Sequence, residues 1–234
     1  MVEPSHRGIL YGVSVGPGDP ELMTLQAVRR LQSCPVIAAP QTKSGQMLAL
    51  EIAQGAVDLT GKTIVPLHFP MSRNGDTLRE AHTQAAEMLR HHLDAGQDVA
   101  MLNLGDVSVY ATFGYLQEIL QAEGYETRML AGVPSFCASA ARLNQPLTAG
   151  MDEPLTIAPG GSADKVLDNA GSKVLMKTGR QLPRTLAVLA AHGKLEHSAM
   201  VCNCGLPNEE VWPDLSQYEA VRPAGYFATI LVKE

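Results

Sequence analysis

The run Asn103-Leu104-Gly105-Asp106-Val107-Ser108-Val109-Tyr110 gathers a glycine, a carboxylate, a hydroxyl and a phenol in one short segment. Gly105 has no Cβ, so the backbone can come close to a bound molecule there. Asp106 sets a carboxylate beside that contact. The competing reading is a strand-to-helix turn with a capping aspartate. Gly16-Pro17-Gly18-Asp19-Pro20 is a second glycine-rich turn. It does not match GxGxxG cleanly and alone is weak evidence for a dinucleotide. At Ser135 a hydroxyl opens a helix, where it can cap the helix or, with the free N–H groups, meet a polar ligand. The connection from His68 to Gly75 carries an aromatic, a cation and a hydroxyl; a plain loop is the alternative.

These residues need elements to hold them. Residues 98–102 read as a buried strand that ends at the Gly105 loop, and 111–123 read as the helix that follows. In open α/β sheets, ligands bind outside the carboxyl ends of strands. Residues 8–15 form a first strand, apolar on both faces as buried parallel strands are. A helix capped by Thr24 runs to about residue 31 with Leu25, Val28 and Leu31 on one face. Residues 35–39 form a strand ended by Pro40, then come a helix over 46–54 and a strand over 63–67. Asp76 caps a long helix to about residue 93, with Leu78, Ala81, Ala85, Met88 and Leu89 inward, and Gly96 stops it. Strands follow over 125–130, 155–158, 173–177, 199–203 and 225–232, with helices over 135–143 and 182–192. The class is α/β. The regular alternation of the first half predicts a mostly parallel sheet, and the strand-rich second half a mixed one. The junction falls near residues 118–124, giving an N-terminal domain over 1–120 and a C-terminal domain over 121–234.

The chain has 234 residues, 45% of them hydrophobic and 18% charged, which suits a globular protein with a sizeable core. A net charge of −6 argues against nucleic acid or an anionic membrane as partner. No apolar run is long enough to span a bilayer, and residues 1–8 have no signal-peptide core. Cys34, Cys137, Cys202 and Cys204 give neither a disulfide framework nor paired CxxC arms, which points to a reducing cytoplasm. Cys202 and Cys204 alone do not complete a zinc shell, so no protein-bound metal is expected. His91 and His92 sit near a helix end, where the dipole accounts for them better than a metal does.

Three pieces read together carry a resemblance. They are Tyr11-Gly12-Val13-Ser14-Val15-Gly16-Pro17-Gly18-Asp19-Pro20, then Leu104-Gly105-Asp106-Val107-Ser108-Val109-Tyr110, then Gly132-Val133-Pro134-Ser135 with Ala138-Ser139-Ala140-Ala141. In order and spacing they resemble the tetrapyrrole methylases, the S-adenosylmethionine enzymes of corrin and sirohaem synthesis. The first looks like the family's VGxGPGDPxLLT opening, continued by Glu21-Leu22-Met23-Thr24; the second is similar to its GDP loop and the third to its PGxxS segment. His68-Phe69-Pro70-Met71-Ser72, Val174-Leu175-Met176-Lys177, Tyr226-Phe227-Ala228-Thr229-Ile230-Leu231-Val232 and the pair Ser135-Phe136 resemble the branch that methylates C20 of precorrin-2 or cobalt-factor II. Two positions depart from the pattern: Val107 and Ala131 stand where the family has proline. A proline there would pre-set φ; the glycine, acid and serine remain.

The resemblance implies two α/β domains with a cofactor cleft between them, a homodimer, and S-adenosyl-L-methionine as methyl donor, leaving as S-adenosyl-L-homocysteine. Carried over residue by residue, the donor contacts are Pro17, Gly105, Asp106, Val109, Ser135, Phe136, Met176 and Ala228, with Cys204 and Gly205 on a shorter match. Methyl transfer from a sulfonium is an in-line displacement, so positioning supplies much of the rate. Asp106 and Tyr110 are the candidates for orienting the donor or helping a proton leave the methylated carbon. Arg73, Lys43 and Arg180 are the candidate partners for the carboxylates of the acidic tetrapyrrole. A methylase acting at another ring position or on a protein, and a binding module without transfer, are the alternatives. S-adenosylhomocysteine binding separates the last from the others.

Overall fold

Every residue of strands β1 (Leu10–Ser14) and β4 (Val99–Asn103) is buried, as central strands of a parallel sheet require. With β2 (Val36–Gln41), β3 (Thr63–His68) and β5 (Thr127–Leu130) they form an all-parallel sheet of order β3-β2-β4-β1-β5. The structure is a computed structural model that describes residues 6–70, 72, 74–219 and 227–234. Four helices make the crossovers: α1 (Leu25–Ser33), α2 (Leu48–Ala56), α3 (Gly75–Asp94) and α4 (Phe113–Ala122). The chain steps outward from β1 to β3 and back from β3 to β5. Right-handed crossovers therefore place α1 and α2 on one face and α3 and α4 on the other. On the second face Leu89 and Leu93 of α3 and Phe113, Leu116 and Leu120 of α4 pack over Val36, Ala38, Val99 and Met101.

Local chemistry sets the helix starts. The Thr24 hydroxyl accepts the Ala27 amide at 3.1 Å and opens α1. Its buried residues are Ala27 and Leu31; Leu25, expected inward, is 71% exposed at the first position of the helix. Asn74, rather than the expected Asp76, caps α3, accepting the Asp76 and Thr77 amides. Asp76 is the second residue of the helix, where an acid favours the positive end of the dipole. The buried stripe of α3 is His82, Ala85, Ala86, Leu89 and Leu93, and Met88 is exposed. Counting His82 as polar draws the stripe off by one row. Pro40 does not end β2, which continues to Gln41.

The second unit holds α5 (Ser135–Arg142), β6 (Leu155–Pro159), the one-turn α6 (Ala163–Val166), β7 (Ser172–Met176), α7 (Leu182–Ala191), β8 (Ser198–Cys202), β9 (Glu210–Trp212) and β10 (Ala228–Val232). Its sheet has the order β6-β7-β10-β8-β9, with β6 and β7 parallel and the other pairs antiparallel, a mixed sheet. Leu175, Met200, Ile230 and Val232 meet Leu182 and Leu189 of α7 in its core. The two compact units are Met1–Val133 and Pro134–Glu234. The junction thus lies beyond residue 120, which falls inside α4. Strand β5 pairs with β1 and so belongs to the first sheet, a partnership that local sequence does not reveal. Among the described residues, no helix is long and apolar enough to cross a membrane.

Candidate functional site

Three loops of the first unit leave the carboxyl ends of the neighbouring strands β4, β1 and β5, and buried Ser14 ties them together. Its hydroxyl donates to the Leu130 carbonyl at 2.7 Å and accepts the Val107 amide at 2.9 Å. The Gly105 amide donates to the Gly16 carbonyl at 2.8 Å, bridging the loop after β4 to the loop after β1. Gly105 has φ +73°, a conformation that favours glycine. Gly132 is needed for space: a Cβ there would lie 2.3 Å from the Ser14 Cβ. Pro17 is buried beside Gly16.

Asp106 is the hub of this arrangement. One carboxylate oxygen accepts the Ser108 amide at 2.8 Å and the Ser108 hydroxyl; the other accepts the Gly132 amide at 2.7 Å. Burial alone would raise its pKa, but the Ser108 hydroxyl and the Gly132 and Ser108 amides outweigh it and hold the carboxyl below its ordinary value. Such a group is ionised at neutral pH and engaged on both oxygens. A general base works best with a pKa near the working pH, so this geometry favours holding the loops over taking a proton. The amides of Gly105, Val107, Ser108 and Val109 are all used inside the site. None of these four amides is left to donate out of the loop. Tyr110 follows at φ +50° and is 43% exposed.

In the second unit, Ser135, Phe136, Met176, Cys204, Gly205 and Ala228 gather at one end of the sheet. Strand β10 runs antiparallel to β7 and β8, so its first residue, Ala228, lies beside their last ones. The Ala228 carbonyl accepts the Thr178 hydroxyl at 2.9 Å. Ser135 does not cap α5, whose N-cap is Pro134; its hydroxyl is 3.2 Å from that of Thr229 on β10. Phe136, Met176, Cys204 and Ala228 are buried. The Gly205 amide donates to Glu209 at 2.8 Å.

Sequence pattern alone does not single out Lys177 as a site residue. It follows Met176 at φ +54°, keeps solvent access, and burial of its surroundings pushes its ammonium pKa down. Tyr110, Lys177 and Asn203 are three of the four non-glycine residues with positive φ among the described residues; Lys177 and Asn203 directly follow β7 and β8, and Tyr110 closes the loop after β4. Backbone strain of this kind gathers at functional sites. The signal in the sequence was a charged residue closing an apolar strand run.

Of the expected substrate cations, Lys43 belongs to the first unit and Arg180 to the second. Lys43 is exposed and lines a pocket of about 290 Å³ with the His68-Phe69-Pro70 segment and the first turns of α3. Arg180 is exposed on the turn Gly179–Gln181. Arg73 lies outside the described residues, as does Tyr226 of the C-terminal motif. Among the described residues no group of three or more His, Cys, Asp and Glu comes together as a metal site. Burial pushes the Cys202 and Cys204 thiols up to about 11, which keeps them protonated and poor as metal ligands.

Residues 9–217 match the family described as Tetrapyrrole (Corrin/Porphyrin) Methylases. The chain is 36% identical to a cobalt-precorrin-2 C(20)-methyltransferase of Salmonella typhimurium, covering 97% of each. It is 30% identical to a precorrin-2 C(20)-methyltransferase of a Sinorhizobium species, over 96% of this chain and 95% of that protein. Among solved structures, uroporphyrin-III C-methyl transferase of Thermus thermophilus, complexed with S-adenyl homocysteine, superposes with a TM-score of 0.70 at 22% identity, over 97% of this chain and 98% of that one.

Proposed function

The chain belongs to the tetrapyrrole methylase family, and from that premise we propose that it is an S-adenosylmethionine-dependent methyltransferase acting on C20 of precorrin-2 or cobalt-factor II in cobalamin biosynthesis. The observation that carries this reading is full-length similarity to C(20)-methyltransferases, together with an Asp106-centred junction that holds three loops at the carboxyl edge of a parallel sheet.

The loop chemistry suits the donor. S-adenosylmethionine carries an ammonium, ribose hydroxyls and an adenine amine, all donors, and a loop whose own amides are engaged offers carbonyls to them. When bound, it supplies an electrophilic methyl group on a sulfonium. The methyl–sulfur bond breaks as the methyl–C20 bond forms, the electron pair stays on sulfur, and C20 then loses its proton. In this reading Pro17, Gly105, Val109, Ser135, Phe136, Met176 and Ala228 are donor contacts, as are Cys204 and Gly205 on the shorter match. Asp106 is a positioning residue. Tyr110 and Lys177 are the groups offered to the acceptor, Lys177 as a cation for an acidic macrocycle. A homodimer in the cytoplasm belongs to the same reading.

The two curated relatives differ in whether their names include cobalt. Anaerobic transfer from labelled S-adenosylmethionine, run on precorrin-2 and cobalt-factor II side by side, tests the proposal. Transfer to one of them supports it and assigns the metal state. Transfer to neither, with S-adenosylhomocysteine still bound, overturns the substrate.

A further inference from the structure

A pocket at the outer strands of the first sheet holds Lys43. It opens at the carboxyl ends of β2 and β3, the edge that also carries the Asp106 loop, and β2 is the immediate neighbour of β4. Adjacent strands lie about 5 Å apart, so the pocket is a few strand widths from the loop assigned to the donor. A flat macrocycle seated by that loop would bring its side arms to this distance.

The lining is polar at the rim and aromatic at one wall. Lys43 supplies the positive charge, and no ion pair or hydrogen bond ties it among the described residues. His68, Thr77 and Gln84 add hydrogen-bonding groups around it. The wall is Phe69, which packs partly buried against the core. Its ring is fixed from behind by His82, 5.8 Å away, which in turn stacks on Tyr115 of α4 at 4.6 Å and 11°. Burial lowers the pKa of His82, so its ring acts as a neutral spacer and the charge is left to Lys43. Glu80 also lines the pocket. Its carboxylate opposes any anion there, so the attraction of one rests on Lys43.

We propose that this pocket is a subsite for a single carboxylate arm of the tetrapyrrole, with Lys43 as its cation and Phe69, positioned by His82, as its wall. The assignment rests on the proposed function and names where in the first unit an arm of that substrate is held.

Anaerobic absorption titration with cobalt-factor II, and with precorrin-2 where cobalt-factor II does not bind, reads tetrapyrrole binding directly without donor, and calorimetry with S-adenosylhomocysteine reads the donor site. Lys43→Met should weaken cobalt-factor II binding about tenfold, the loss of one charge-assisted contact, and leave S-adenosylhomocysteine affinity within about twofold. Lys43→Arg should recover most of the loss. His82→Ala should weaken cobalt-factor II binding as well, and His82→Phe, which keeps a ring behind Phe69, should restore it. Equal cobalt-factor II binding by wild type and Lys43→Met overturns the subsite and leaves the methyltransferase reading intact. A matching loss of S-adenosylhomocysteine affinity would give the pocket to the carboxylate of the donor instead, and so overturn it too. Wild type that binds neither cobalt-factor II nor precorrin-2 in this titration overturns the subsite, and wild type that transfers no methyl group to either overturns the functional reading.

Discussion

At the scale of the residue, Asp106 decides how the site is understood. Both its oxygens are engaged by Ser108 and Gly132, so its work is to hold loops in register. Asp106→Asn puts an amide donor against one of those N–H groups, and S-adenosylhomocysteine affinity should fall about tenfold or more by calorimetry. A base role predicts the opposite split, with inhibitor affinity kept and turnover lost. The depressed pKa adds a second check. The stability contributed by the carboxylate is fully present above the unfolded-state value of about 4 and is lost as pH falls through its lower folded value. Acid titration of unfolding should therefore show less pH dependence below about pH 4 in Asp106→Asn than in wild type. Lys177 carries a separate expectation: Lys177→Met should lower kcat/KM for the tetrapyrrole about tenfold with donor-site affinity kept within about twofold, and Lys177→Arg should recover part of it.

At the scale of the element, the junction of β1, β4 and β5 depends on two small residues. Gly132→Ala places a Cβ against buried Ser14, and overpacking of this kind costs about 1–3 kcal/mol. Ser14→Ala leaves the Leu130 carbonyl and the Val107 amide without their partner, again about 1–3 kcal/mol. Chemical denaturation of each variant checks both figures. The sequence announced most of these elements because apolar strands between glycine-rich turns have few other readings. Gly105, Asp106 and Ser135 could be picked out as residues of interest from their types and places. What Asp106 bonds to could not, because Gly132 is 26 residues away and only strand order brings it near. The same limit moved the domain junction, since β5 looks local to the second half and pairs with β1. His82 is illegible for a different reason: a histidine on an amphipathic helix reads as surface, and only the packing of Phe69 and Tyr115 on it shows otherwise.

At the scale of the whole molecule, the chain of 25.0 kDa should sediment at twice that mass if it is the homodimer of this reading. Its acidity, −6 overall, means that an acidic substrate must be met by local cations and not by a general field. Methylation should therefore weaken as salt rises, to the extent that exposed lysines and arginines hold the carboxylates. The central claim is the position methylated. Transfer from S-adenosylmethionine carrying a 13C-methyl group to precorrin-2 or cobalt-factor II, followed by carbon NMR of the product, reads it directly. The account predicts a single labelled methyl group, attached to the meso carbon C20. Label at another ring position, or on a peripheral carbon, would contradict it.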